Sequence, residues 1–199
     1  MKPIEIKKGV YWVGAVDWLS RDFHGYSLSP RGTSYNAYLV VDEKITLFDT
    51  VKAEFKGELL CRIAQIVDPA KIDYIVANHL EPDHSGALPQ IIEATKPEAV
   101  FCSPMGQRAM DAHFYAKDWP VRVVKTGDTL SLGRRTVHFL ETRMLHWPDS
   151  MFCYLTEDKL LISNDAFGQN IASSQLFADE HPRDDLMQAL REYYANIVL

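Results

Sequence analysis

At 199 residues, 47% of them hydrophobic and 24% charged, the chain is long enough to bury one sizeable core and has the balance of an ordered globular protein. A net charge of −6 argues against a general nucleic-acid binder, which needs a basic face to displace counterions from phosphates, and leaves room for a small or metal-bound substrate. No stretch approaches the roughly 20 apolar residues of a membrane span and MKPIEIKKGVYWVGA holds no apolar run of signal-peptide length, so no membrane association and a cytoplasmic location are expected.

The first fifty residues read as an antiparallel meander of short strands, IEIKKGVYWVG, TSYNAYLVV and KITLFDT. Between the first two lies DWLSRDFHGYSLSPRG, a long aromatic and polar loop containing His24; loops of this length are commonly functional. Residues 53–67 place Phe55, Leu59, Ile63 and Ile66 on one helical face, ended by Pro69, and a buried strand follows at 73–77. A short helix, an apolar strand ending at Cys102 and a helix over 104–116 with Pro104 in its first turn come next. VRVVK, TLSL, RTVHFLET, SMFCYLT and KLLIS read as strands, the last two joined by a tight turn at Glu157 and Asp158. The helical pattern over 182–199, with Asp184 as a cap, runs into Ile197, Val198 and Leu199 without a stop signal, so the chain reads as cut short. Two groups of strands with interleaved helices predict an α/β fold of two facing sheets with helices outside, in one domain. Cys61, Cys102 and Cys153, odd in number and set among apolar neighbours, read as reduced core thiols.

The stretch NHLEPDHSG, Asn78 to Gly86, packs His79, Glu81, Asp83 and His84 into six positions where the apolar strand YIVAN ends. Imidazole and carboxylate are natural ligands for divalent iron, manganese and zinc, and alternate positions of an extended segment point to one side. His79, Glu81 and Asp83 have that spacing, while a turn of the loop would aim His84 at a second metal. Two further donors stand at strand exits: His146 in LETRMLHWPDS and Asp165 in LLISNDAFG. His113, on a helix, His138, in an alternating strand, and His181, before a proline, have ordinary explanations. Neither a Rossmann nor a P-loop glycine spacing occurs, and no serine stands in a Gly-x-Ser-x-Gly elbow.

With DWLSRDFHGY, GTSYNAYLV, LFDTVK, NHLEPDHSGALP, CSPMG, VKTGDTLSLG, LHWPDSMFCYL and SNDAFGQ in order, the chain resembles the metallo-β-lactamase-like domain of flavodiiron proteins, most closely rubredoxin:oxygen oxidoreductases. The resemblance implies an αββα four-layer sandwich with a non-haem di-iron centre. In the family's pattern His79, Glu81 and His146 bind one iron, Asp83, His84 and a later histidine bind the other, and Asp165 bridges them. It also implies reduction of dioxygen to water or of nitric oxide to nitrous oxide at two ferrous ions about 3.5–4 Å apart. Electrons would come from rubredoxin or a similar donor through FMN, in chains that pair head to tail. Hydrolytic relatives usually have His where Glu81 stands and hold zinc, and a harder carboxylate favours iron or manganese. Two departures accompany the likeness: the last histidine and the flavodoxin-like FMN domain lie beyond position 199, making 1–199 an incomplete di-iron domain, and position 170 is Asn where members often have His. His24 resembles the histidine beside the exogenous-ligand pocket. The competing readings are a zinc hydrolase of the same superfold and a catalytically inactive fragment.

Overall fold

The computed structural model describes residues 2–23, 25 and 27–198. The opening meander is finer than its sequence implies. It comprises β1 (Ile4–Lys7), β2 (Val10–Trp12), β3 (Ala15–Asp17), β4 (Asp22–Phe23), β5 (Ser27–Leu28), β6 (Thr33–Tyr35), β7 (Tyr38–Val40) and β8 (Thr46–Phe48). The expected single strand IEIKKGVYWVG is thus two, turned at Gly9, and the expected loop holds the strand pair β4 with β5 and is closed at its base by β3 paired with β6. Helix α1 (Lys56–Ala64), β9 (Tyr74–Ala77), the one-turn α2 (Pro82–Ser85), α3 (Leu88–Thr95), β10 (Ala99–Cys102) and α4 (Pro104–Phe114) follow. After β11 (Val121–Val123), four strands complete the β structure: β12 (Thr129–Ser131), β13 (Thr136–Glu141), β14 (Met151–Leu155) and β15 (Leu160–Ile162). Helix α5 (Arg183–Tyr193) ends the chain and runs into a π-helical turn at Tyr194–Val198. Its N-cap is Pro182, so the expected cap Asp184 lies inside the first turn, where its charge favours the helix dipole.

Seven strands form one sheet in the order β1-β2-β7-β8-β9-β10-β11, antiparallel as far as β8 and parallel from β8 to β11. The two central parallel strands, β9 and β10, are buried at every position, as a sheet covered on both faces requires. One face packs Leu39, Leu47, Ile75 and Val100 against Leu59, Ile63, Leu88, Ile91 and Met110 of α1, α3 and α4. The other packs Val40, Phe48, Val76 and Phe101 against Val137, Phe139, Cys153 and Ile162 of the second sheet, β12-β13-β14-β15. The alternation along each strand is what lets one sheet serve two cores. The outer face of the second sheet presents Leu140, Tyr154 and Leu161 to solvent, and α5 packs elsewhere, over the mouth of the sandwich through Tyr193 and Ile197 against Phe23. Cys102 and Cys153 are buried as expected, but Cys61 is exposed on α1; all three are free thiols. Among the described residues, no helix is long and apolar enough to cross a membrane.

At the end of the sandwich where the hairpins turn, Arg135 ties four segments together. Its guanidinium donates to Asp158 Oδ2 at 2.7 Å, to Lys8 O at 2.5 Å, and to Asp42 Oδ2 and Val41 O at 3.4 Å. A planar fork can do this, whereas an ammonium cannot. Arg135→Ala leaves Asp158 without its cation and Asp42 with only the exposed Arg134, and is expected to lower unfolding free energy by about 3 kcal/mol, with Arg135→Lys losing less; urea midpoints measure both.

Candidate metal centre

The ligand loop begins where β9 runs out. Asn78 is fully buried, and Asp49, at the end of β8, accepts from its backbone N at 2.7 Å and its Nδ2 at 2.9 Å. The Asn78 Oδ1 in turn accepts from Cys153 Sγ at 3.0 Å, and its carbonyl from Met151 N, so one residue fastens β8, β9 and β14. From there His79, Leu80 and Glu81 run extended until Pro82 opens α2. Asp83 and His84 therefore reach the site by a helical turn instead of continuing the extended alternation. Thr50 donates to His84 O through both its backbone N (2.9 Å) and its Oγ1 (2.6 Å), and Ser85 Oγ donates to Leu80 O and Glu81 O. Gly86 is needed by proximity: a Cβ there would stand 2.5 Å from Pro82 O and 2.9 Å from Ala53 N.

The second sheet supplies the other donors, His146 from the loop between β13 and β14 and Asp165 from the 3-10 turn after β15. All three imidazoles present Nε2 to carboxylates. Glu81 Oε2 lies 3.1 Å from His79 and 3.0 Å from His146. Asp165 stands between two groups: Oδ2 is 3.5 Å from His79 and 3.2 Å from His146, while Oδ1 is 2.8 Å from His84, which also has Asp83 Oδ2 at 3.4 Å. Ligand atoms of His79, Glu81, His146 and Asp165 all fall within 4.8 Å of one another. The donor set fits a cation: Asp83 Oδ1 is buried without a hydrogen-bond partner among the described residues, as an atom facing an ion would be.

The carboxylates bias the histidines toward their charged form. Burial pulls the His79 pKa down, but hydrogen bonds to Asp149 and Glu81 outweigh it and raise it to about 9. His146 likewise rises to about 9, burial being overcome by Asp165 and Glu81. For Glu81, burial raises the pKa, but His146 and His79 carry it down to about 2. His84, opposed by burial, is driven well up by Asp165 and Asp83; Asp83 is raised, burial outweighing His84, whereas Asp165, against burial, is held well down by His84 and His146.

Two residues at the site carry no ligand pattern in the sequence. Asp149 is buried against His79 and Leu80, 70 and 69 residues away. Tyr193 reads from its helical period as an apolar-face residue of α5, yet its buried phenol faces the acidic cluster: burial first, then the charges of Asp165, Asp83 and Glu81, push its pKa far up. Its ring passes so close to Gly168 that a Cβ there would stand 2.9 Å from it. The rings of Trp147 and His79 meet edge to face with centroids 5.3 Å apart, and Trp147 lines a mouth of about 260 Å³ with Phe23, Lys52, Glu81 and Asp83. His24 lies outside the described residues. His113, His138 and His181 stay out of the cluster, and Asn170 bonds Thr33 Oγ1 instead.

A two-sheet sandwich with a histidine–carboxylate cluster at the strand ends defines a β-lactamase-like, metal-binding class of domain. The profile of the ODP family beta lactamase matches residues 33–198. The rubredoxin-oxygen oxidoreductase of Megalodesulfovibrio gigas is 66% identical over 198 residues, covering 100% of this chain and 49% of that protein. A nitric oxide reductase of Moorella thermoacetica is 49% identical over 199 residues, covering 100% of this chain and 50% of that one. The crystal structure of the flavodiiron protein from Giardia intestinalis superposes with a TM-score of 0.95 at 40% identity, over 99% of this chain and 48% of that chain. The chain spans about half the length of the curated relatives it matches. It belongs to the ODP family of β-lactamase-like proteins.

A pH dependence follows from the raised histidines. Their folded pKa of about 9 exceeds the ordinary 6.5, so the stability they confer on the metal-free chain is whole below about pH 6.5 and lost as pH rises through 9. Melting temperatures of metal-free protein are expected to fall over that window, and less so in His146→Gln; Glu81 adds a second loss below about pH 4.5.

Proposed function

We propose that the chain, as one domain over 1–199, is the di-iron half of an enzyme that reduces dioxygen to water or nitric oxide to nitrous oxide. Its electrons would arrive from rubredoxin or a similar donor through FMN, with chains paired as homodimers or larger assemblies in the cytoplasm. The observation that carries this reading is Glu81 Oε2 lying between His79 and His146, a carboxylate where an imidazole would suit zinc hydrolysis. The relatives named above as an oxygen oxidoreductase and a nitric oxide reductase support it.

His79, Glu81 and His146 would hold one ion, Asp83 and His84 the second, with Asp165 offering one oxygen to each. When bound, the ferrous pair supplies the electrons and two adjacent positions for a small diatomic gas. The chain's own residues set the conditions. Buried carboxylates offset the charge of the pair, and Trp147 and Phe23 narrow the mouth and limit water. The Tyr193 phenol, buried beside these carboxylates, keeps its proton at neutral pH and adds no charge to the cluster.

Anaerobic reconstitution with ferrous iron followed by exposure to nitric oxide tests the reading. In a single turnover, two nitric oxide molecules, two electrons and two protons give one nitrous oxide and one water. One nitrous oxide per iron pair is the expected yield, falling by more than about a hundredfold in Asp165→Ala. Preferential retention of zinc together with lactam or thioester hydrolysis, and no gas consumed, would contradict it.

A further inference from the structure

Asp149 is three residues beyond His146 in the same loop, yet its carboxylate serves the other ligand arm. Oδ2 accepts from Leu80 N at 2.6 Å and lies 3.2 Å from His79 Nδ1, while its carbonyl accepts from Ser103 Oγ at 2.8 Å. Ser103 in turn caps α4 by accepting from Gly106 N at 2.9 Å. Asp149 is 3% exposed and His79 fully buried, so water does not compete for these bonds. With Nδ1 engaged, only Nε2 of His79 is left to face Glu81 at 3.1 Å and Asp165 at 3.5 Å.

We infer that Asp149 is a positioning residue of the metal centre: it holds a proton on His79 Nδ1, aims Nε2 at the ion, and latches the His146 loop onto the His79 loop. The inference rests on the metal-centre reading above. The latch matters because His79 and His146 leave different sheets and must converge on one point. Main-chain distance does not enforce that, since 67 residues separate them, whereas Asp149, bound to Leu80 and His79, fixes the two loops to each other. Carboxylates that accept from the far nitrogen of a ligating histidine set its tautomer and orientation, and their loss typically weakens metal binding by about 10–100-fold.

Both side-chain bonds end on one oxygen, which gives a clean pair of variants. In Asp149→Asn the amide oxygen can accept from both Leu80 N and His79 Nδ1, keeping the geometry without the charge; Asp149→Ala removes the acceptor. The wild-type chain and both variants would be titrated anaerobically with cobalt(II), followed by its visible absorption. Nitrogen-15 spectra of the metal-free proteins would be searched for a slowly exchanging, downfield His79 Nδ1 proton. We expect the resonance in wild type and Asp149→Asn and its loss in Asp149→Ala. Cobalt affinity is expected to drop about 10–100-fold with an altered absorption envelope in Asp149→Ala, and by less than about tenfold in Asp149→Asn. Wild-type affinity and spectrum in Asp149→Ala would overturn the inference, as would an equal loss in both variants, which would assign the effect to charge. A wild-type chain that keeps the resonance but takes no cobalt would instead refute the metal-centre reading, and the positioning role with it. The metal-free spectrum separates that failure from the first.

Discussion

Burying like charges together is the constraint on which the rest of this structure depends. Asp49, Glu81, Asp83 and Asp149 are buried, and the Asp165 side chain is only 14% exposed. Each carboxylate taken from water costs several kcal/mol unless it is paired. The pairs that answer this cost cross the sandwich: Glu81 from the first sheet meets His146 from the second, and Asp165 from the second meets His84 from the first. The cluster is therefore also a fastening between sheets at one end, as Arg135 with Asp42 and Asp158 is at the other. Between these two polar ends the intersheet core is apolar, and the strands need only supply alternation.

How much was legible in the sequence follows from how local each signal is. His79, Glu81, Asp83, His84, His146 and Asp165 were visible because donor-type residues stood at the exits of apolar runs, and the structure brings those six together. Asp149 was not, although it lies in the same LHWPDS stretch as His146, because its meaning is a contact 70 residues away and an aspartate after a proline reads as a turn. Tyr193 illustrates the reverse case. Its helical spacing gave α5 correctly, but periodicity reports that a face is covered and not what covers it, and here the cover is Phe23, Gly168 and the neighbourhood of the candidate metal cluster. The long stretch between β2 and β6 lacked a period because its strands, β3 to β5, are two or three residues long, too short to alternate.

Under the di-iron reading proposed above, the choice of metal turns on one side chain. An imidazole at position 81 would complete a histidine-rich set suited to zinc, whereas the Glu81 oxygen shared by His79 and His146 presents a hard, anionic donor. Its charge is held by both histidines, which keep its pKa near 2 against the effect of burial, so it is ready to coordinate at any physiological pH. The supporting bonds from Thr50, Ser85 and Asp49 act on the backbone of the ligand loop, which leaves the donor atoms free to face inward.

The most direct test is anomalous diffraction at the iron and zinc edges from crystals grown anaerobically with both metals supplied. The account expects two iron-edge peaks, one among His79, Glu81, His146 and Asp165 and the other beside Asp83, His84 and Asp165. A single peak at the zinc edge, or no peak within the cluster, would contradict it.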